Sequence, residues 1–271
     1  MSRIAVVGVG AIGGALAAPL VHAGRHDVLL CAREPFERLV VESRSGRIEV
    51  QARCETDPAR AEPVDWVLLA TKAQDVPGAA RWLAALSAPG TVVAVLQNGV
   101  EHRERLAPGR VRMRGGARLT APAGPGARAF GALFAGSEIA VEETDDFTSV
   151  AWRKLCLNAA SGALLALTGR SAEVLHAPGM AELALGIMEE CVAVGRAAGA
   201  TLPDALARQV LERILALPAG AGNSMLYDRR AGRPLELDAR NGAIVRFGAR
   251  HRIATPLNSA VTALLAAQTP L

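Results

Sequence analysis

Only two of the 30 Lys and Arg residues in this 271-residue chain are lysines, Lys72 and Lys154. Arginine serves almost wherever a cation is needed. Lysine differs in carrying a compact donor whose pKa falls readily on burial, which suits proton transfer. Lys154 lies in Trp152-Arg153-Lys154-Leu155-Cys156-Leu157-Asn158, where a helix would bring Lys154 and Asn158 onto one face. The plainer alternative is a solvated polar pair, but Trp152, Leu155 and Leu157 leave few polar groups in the segment. A second group is Asn223-Ser224-Met225-Leu226-Tyr227-Asp228, followed by Glu236-Leu237-Asp238 and Asn241. Ser224 follows a Gly-rich break and also suits a helix N-cap. Glu236 also suits a surface carboxylate in the first turn of a helix, where the dipole favours it. A third group, Gln97-Asn98-Gly99, reads either as a turn or as an amide presented at a strand end.

The N-terminal half supplies a partner for such chemistry. An apolar run at residues 3–7 leads into Gly8-Val9-Gly10-Ala11-Ile12-Gly13 and then an Ala/Leu-rich helical stretch. This is GxGxxG in the context it requires, between a strand and a helix. Gly8 permits the tight turn, Gly10 lets backbone approach a pyrophosphate, and Gly13 allows close helix–strand packing. The helix N-terminus, entered through Ala11 and Ile12, then offers unpaired N–H groups to an anion. A second strand, Val28–Ala32, ends at Arg33. An NAD site places an acidic residue about 20 residues past the glycines to bind the ribose hydroxyls, whereas Arg suits a 2′-phosphate. Arg33 therefore points to NADP. The adjacent Glu34 keeps NAD open, and a solvated strand end is the plain alternative.

The elements that must position these groups alternate through the first half. Asp65–Ala70 reads as a buried strand with Thr71-Lys72-Ala73-Gln74 at its carboxyl end, where open α/β sheets place ligands. Thr91–Leu96 reads as the next strand, so Asn98 would meet a nicotinamide or a substrate. Residues 110–126, rich in Gly, Pro and Arg, read as loop, followed by a short helix near 127–135 and a strand near Glu138–Glu142. Alternating strands and helices imply a Rossmann-like, doubly wound parallel sheet over residues 1–144. From Asp145 the alternation stops. Helices are expected at about 145–167, 179–199, 203–217, 235–249 and 256–267, giving an all-α domain over residues 145–271.

Composition excludes several function classes. Hydrophobic residues make up 51% and charged residues 21%, which suits a soluble globular protein. No apolar run reaches the roughly 18 residues of a membrane span, so no membrane partner is expected. Arg3 leads straight into a strand, without a signal-peptide layout, so a cytoplasmic location is expected. Cys31, Cys54, Cys156 and Cys191 form no CxxC pair, so free thiols are expected and no metal site. The net charge of +4 is modest and the arginines do not alternate with aromatics, which argues against nucleic-acid binding. The apolar C-terminal helices suit the core of a monomer or the interface of a homodimer equally well.

Taken in order along the whole chain, these motifs resemble the ketopantoate reductase (2-dehydropantoate 2-reductase) family. The resemblance is carried by Gly8–Gly13, Lys72, Gln97-Asn98-Gly99, Trp152-Arg153-Lys154-Leu155 with Asn158, Ser224-Met225-Leu226 with Asp228, and Glu236 with Asp238 and Asn241-Gly242. It implies NADPH-dependent reduction of a 2-oxo acid to a 2-hydroxy acid, ketopantoate to pantoate in pantothenate biosynthesis. By the same resemblance, Lys154 is the general acid, and Glu236 helps hold the lysine and the substrate hydroxyl. Asn98 and Asn158 orient the substrate, Ser224 donates to its carboxylate, Lys72 contacts the cofactor and Arg33 binds the 2′-phosphate. Two departures are visible. The family commonly carries a second asparagine four residues after the first, where this chain has Gly162, and the connection from Asn98 to Lys154 is shorter than usual. A reductase for another carbonyl or an imine, or a non-catalytic NADPH-binding regulator, stays open on the residues alone.

Overall fold

The computed structural model describes residues 1–42, 46–72, 75–96, 110–112 and 118–268. It divides into two compact units, Met1–Asp145 and Asp146–Leu271. Gln97, Asn98 and Gly99 lie outside the described residues, as do Ala73 and Gln74.

The first unit is built on five parallel strands. They are β1 (Arg3–Val7), β2 (Asp27–Cys31), β5 (Cys54–Glu55), β6 (Trp66–Leu69) and β7 (Val92–Val95), in the spatial order β5-β2-β1-β6-β7. Strand residues alternate between faces, and both faces of β1 are buried. Ile4 and Val6 pack with Leu16 and Leu20 of helix α1 (Ala11–Ala23). Ala5 and Val7 pack with Trp82 and Leu86 of α2 (Val76–Leu86). Helices on both faces explain why β1 reads as a continuous apolar run and not as an alternation. The sheet is therefore doubly wound and Rossmann-like, as the residue pattern implies.

The periphery of this unit differs from the sequence reading. Residues 110–126 do not form a plain loop. Strands β8 (Arg110–Arg112) and β9 (Arg118–Pro122) lie there, and helix α3 (Pro125–Leu133) begins before residue 127. β9 pairs in parallel with β10 (Ala140–Thr144). β8 joins a small sheet with the hairpin β3 (Arg38–Glu42) and β4 (Arg47–Gln51), which the sequence reading passes over. β4 alternates Ile48 and Val50 with Arg47, Glu49 and Gln51, but neither it nor β9 holds a fully buried residue, so neither stands out as a core strand. Their ladders are set by partner strands, which local sequence does not show.

The second unit is helical and centres on α4 (Phe147–Thr168), which packs against α5 (Met180–Ala197), α6 (Leu206–Leu215), α7 (Ser224–Arg230) and α9 (Pro256–Ala267). Asp146 caps α4 by accepting from the Ser149 N–H at 3.0 Å. Ala159, Ala160, Ala163, Leu164, Leu165 and Ala166 bury its second half against neighbours. The expected helix at 235–249 is resolved into an irregular segment, a π-helical turn at Asp238–Gly242 and α8 (Ala243–His251). Helix α7 is hinted at in the sequence only by the N-cap reading of Ser224, because it spans only seven residues and lacks a long periodic pattern.

A buried polar network joins four of these elements. Asn258 of α9 donates to the Ile187 carbonyl (3.1 Å) and to the Glu190 carboxylate (2.7 Å) of α5. It accepts from Asn241 at 3.0 Å, and Asn241 donates in turn to the Ala159 carbonyl of α4. Truncating Asn258 strands several of these partners without water. Asn258→Ala is expected to cost about 3 kcal/mol of stability. The measurement is urea denaturation, with the midpoint falling and the slope unchanged.

Candidate active site

In the first unit the sequence-marked groups converge at the carboxyl ends of three adjacent strands. β1 is flanked by β2 and β6, with Val7 in register with both Cys31 and Leu69. The chain leaves these strands at Gly8, Ala32-Arg33 and Ala70-Thr71-Lys72. The connection from β1 runs to β2 on one side and the next strand of the sheet core, β6, lies on the other. This is the switch point where open α/β sheets bind ligands.

Two glycines there are required by space. Gly8 has φ +93°, a region that L side chains rarely adopt, and an added Cβ would lie 2.8 Å from the Thr71 backbone nitrogen. At Gly13 a Cβ would lie 2.1 Å from the Gly8 carbonyl oxygen. The first turn of α1 therefore packs directly on the loop. Gly10 caps the helix in an extended conformation with no side chain bonded to the opening turn. The N–H groups of that turn are left for an outside acceptor, which fits a pyrophosphate. Arg33 is exposed beyond the end of β2, and Lys72 is half-buried beyond β6. The strand ends thus bring together a backbone cradle and two cations, Arg33 and Lys72.

In the second unit Lys154, Asn158 and Gly162 recur every fourth residue and share one face of α4. Lys154 remains accessible to solvent and Asn158 is half-buried. Surrounding protein nevertheless desolvates the Lys154 ammonium and lowers its pKa from the usual lysine range. The Arg240 guanidinium lowers it further, and Glu236 acts in the opposite sense.

Ser224 and Glu236 are brought together by a residue that the sequence reading passed over. Arg240, in the π-helical turn, donates to the Ser224 hydroxyl at 2.9 Å and pairs with the Glu236 carboxylate at 3.1 Å. Arg240 and Glu236 are both buried. Glu236 is therefore no surface carboxylate in a first helical turn. Ser224 is not the N-cap either; Asn223 caps α7 by accepting from the Leu226 N–H at 3.0 Å. The available signal for Arg240 was its spacing of four from Glu236, a helical ion-pair spacing. Asp228, also buried, pairs with Arg233 at 2.8 Å and braces the turn after α7.

The four cysteines are free, and Cys31, Cys156 and Cys191 are buried. Burial pushes the Cys31 thiol up to about 12, which leaves it inert at neutral pH.

Comparison with known proteins agrees over both units. The family model described as ketopantoate reductase PanE/ApbA matches residues 4–116, and the model of its C-terminal region matches residues 146–269. The chain is 46% identical over 286 residues to a 2-dehydropantoate 2-reductase of Caulobacter vibrioides, covering 98% of each. It is 40% identical over 289 residues to one of Mycobacterium tuberculosis, covering 97% of each. Among solved structures it resembles a PanE/ApbA family ketopantoate reductase from Ralstonia eutropha, with a TM-score of 0.89 and 30% identity, covering 98% of this chain and 97% of that one.

Proposed function

Because the chain belongs to the ketopantoate reductase family, we propose that it reduces ketopantoate to pantoate with NADPH. The observation that carries this reading is Lys154, held with a lowered pKa on α4 beside the Glu236–Arg240 pair.

The reaction places negative charge on the oxygen of a 2-oxo acid and then needs a proton there. Bound NADPH supplies the hydride. Lys154 donates the proton and stabilises the developing alkoxide electrostatically. A lysine of ordinary pKa is a weaker acid than this one, so the lowered value favours donation. Glu236 accepts from the hydroxyl of the substrate and orients the lysine. Ser224 donates to the substrate carboxylate, and Asn98 and Asn158 orient the keto group with their amides. Gly10, Ala11, Ile12 and Gly13 receive the pyrophosphate through backbone N–H groups, and Gly8, whose own N–H donates to the Cys31 carbonyl, shapes the turn that brings them to it. Lys72 contacts the cofactor, and Arg33 binds its 2′-phosphate.

The direct test is loss of nicotinamide absorbance with ketopantoate, set beside pyruvate and other 2-oxo acids. The expected result is the largest kcat/KM for ketopantoate with NADPH. Equal or better turnover of another oxo acid would replace the substrate while keeping the chemistry.

Arg33 makes a separate prediction. A charge-assisted hydrogen bond to the 2′-phosphate is worth about 1.5–3 kcal/mol, or roughly ten- to a hundredfold in affinity. Arg33→Ala should weaken NADPH by that factor and leave NADH unaffected. Equal weakening of both cofactors would remove the 2′-phosphate role.

A further inference from the structure

Arg240 is nearly inaccessible, at 2% exposure. Its guanidinium lies against Gly162, where an added Cβ would stand 3.0 Å from one terminal nitrogen and 3.1 Å from the Met225 sulfur. The glycine leaves the room that the guanidinium fills. The other terminal nitrogen holds Ser224 and Glu236 together. The buried Nε has no hydrogen-bond partner. A buried donor left unpaired costs stability and calls for a functional explanation. The π turn that carries Arg240, closed by Gly242 N–H to the Leu237 carbonyl at 3.1 Å, is also a feature frequent at functional sites.

The hydrogen-bond polarity has a direct consequence. A guanidinium is always charged and can only donate. The Ser224 oxygen must therefore accept, and its own proton is left to donate outward. The same terminal nitrogen fixes one Glu236 oxygen, and the guanidinium offsets the charge of the carboxylate.

We propose that Arg240 is a substrate-positioning residue, seated in the space left by Gly162, which orients the Ser224 hydroxyl as a donor to the substrate carboxylate and supplies the balancing positive charge. This rests on the reading of the chain as a 2-oxo acid reductase. It also accounts for the absence of an amide at position 162, because a side chain there would displace the guanidinium. The charged groups that act on Lys154 are Arg240 and Glu236, so the electrostatic effect of Arg240 can be read at Lys154 itself.

The test uses the full-length protein grown with isotope-labelled lysine. Only Lys72 and Lys154 give signals, and Lys154→Arg assigns them. Arg240→Leu removes the cation, Arg240→Lys keeps the charge without the fork, and Gly162→Ala crowds the guanidinium. With Arg240→Leu the KM for ketopantoate is expected to rise roughly ten- to a hundredfold, with NADPH affinity unchanged. The Lys154 titration midpoint and the alkaline limb of kcat/KM should both move to higher pH, because a neighbouring positive charge is gone. Arg240→Lys should hold the midpoint near wild type while KM stays raised. Gly162→Ala should raise KM in the same direction by a smaller factor, and it carries the test if Arg240→Leu does not fold. Unchanged KM and an unmoved Lys154 midpoint in Arg240→Leu would overturn the proposal. So would a fall in NADPH affinity equal to the loss for ketopantoate, which marks a merely structural role. Wild-type protein that reduces no 2-oxo acid would overturn the reading of function instead. The variants would then be compared through the change that bound ketopantoate makes at the Lys154 signal, and no difference between Arg240→Leu and wild type would sink the positioning role.

Discussion

Lys154→Ala is expected to lower kcat for ketopantoate reduction by roughly a thousandfold or more while the affinity for NADPH stays as it was. The magnitude combines the loss of a positioned general acid with the loss of a cation beside a developing alkoxide. Lys154→Arg separates the two contributions. Arginine keeps the charge but does not release its proton at accessible pH. It should restore part of the electrostatic stabilisation and none of the proton donation. The pH profile gives an independent check. The acid must be protonated to act, so kcat/KM falls as pH rises through the Lys154 pKa. Desolvation and Arg240 lower that pKa, so the fall comes at lower pH than for an ordinary lysine. An alkaline limb unmoved in Lys154→Arg, or near-normal turnover in Lys154→Ala, would remove Lys154 from the role of acid.

The sequence is legible where local chemistry and local structure coincide. The run from Arg3 to Gly13 contains its own strand, its own turn and its own helix start. The spacing of its glycines answers contacts made mostly within those residues, such as Gly13 on the Gly8 carbonyl. Lys154 and Asn158 are legible for the same reason, because their shared face follows from helical spacing along α4. The groups that stay hidden depend on distant partners. β4 takes its place from antiparallel pairing with β3, and β9 from parallel pairing with β10 across an intervening helix. Glu236 reads as a surface carboxylate until the fold buries it against Arg240. Arg240 is one arginine among many in the sequence. Its role appears only when Gly162, far away in the chain, is seen to leave the space that it fills.

Gly13→Ala tests the glycine loop with a comparably large effect, and its sign is a contest between two terms. Alanine in a helix is favoured over glycine by about 1 kcal/mol. Gly78 in α2 shows that term alone, since it is exposed and an added Cβ there meets nothing within 4 Å. Gly78→Ala should therefore be neutral or slightly stabilising. At Gly13 the Cβ would stand 2.1 Å from the Gly8 carbonyl oxygen, with the Gly8 carbonyl carbon at 3.1 Å and the Ala70 Cβ at 3.2 Å. The nearest atoms are backbone, so no rotamer change relieves the clash. Either α1 or the Gly8 turn must move, and both carry the N–H groups that would receive the pyrophosphate. Relief through backbone shifts costs about 1–3 kcal/mol or more, which outweighs the helix propensity gained. Gly13→Ala should lower the melting temperature and weaken NADPH binding by a hundredfold or so, since loop geometry and anion contacts fail together. Isothermal titration of both variants with NADPH makes the comparison, and wild-type affinity in Gly13→Ala would mean that the cofactor does not bind against this turn.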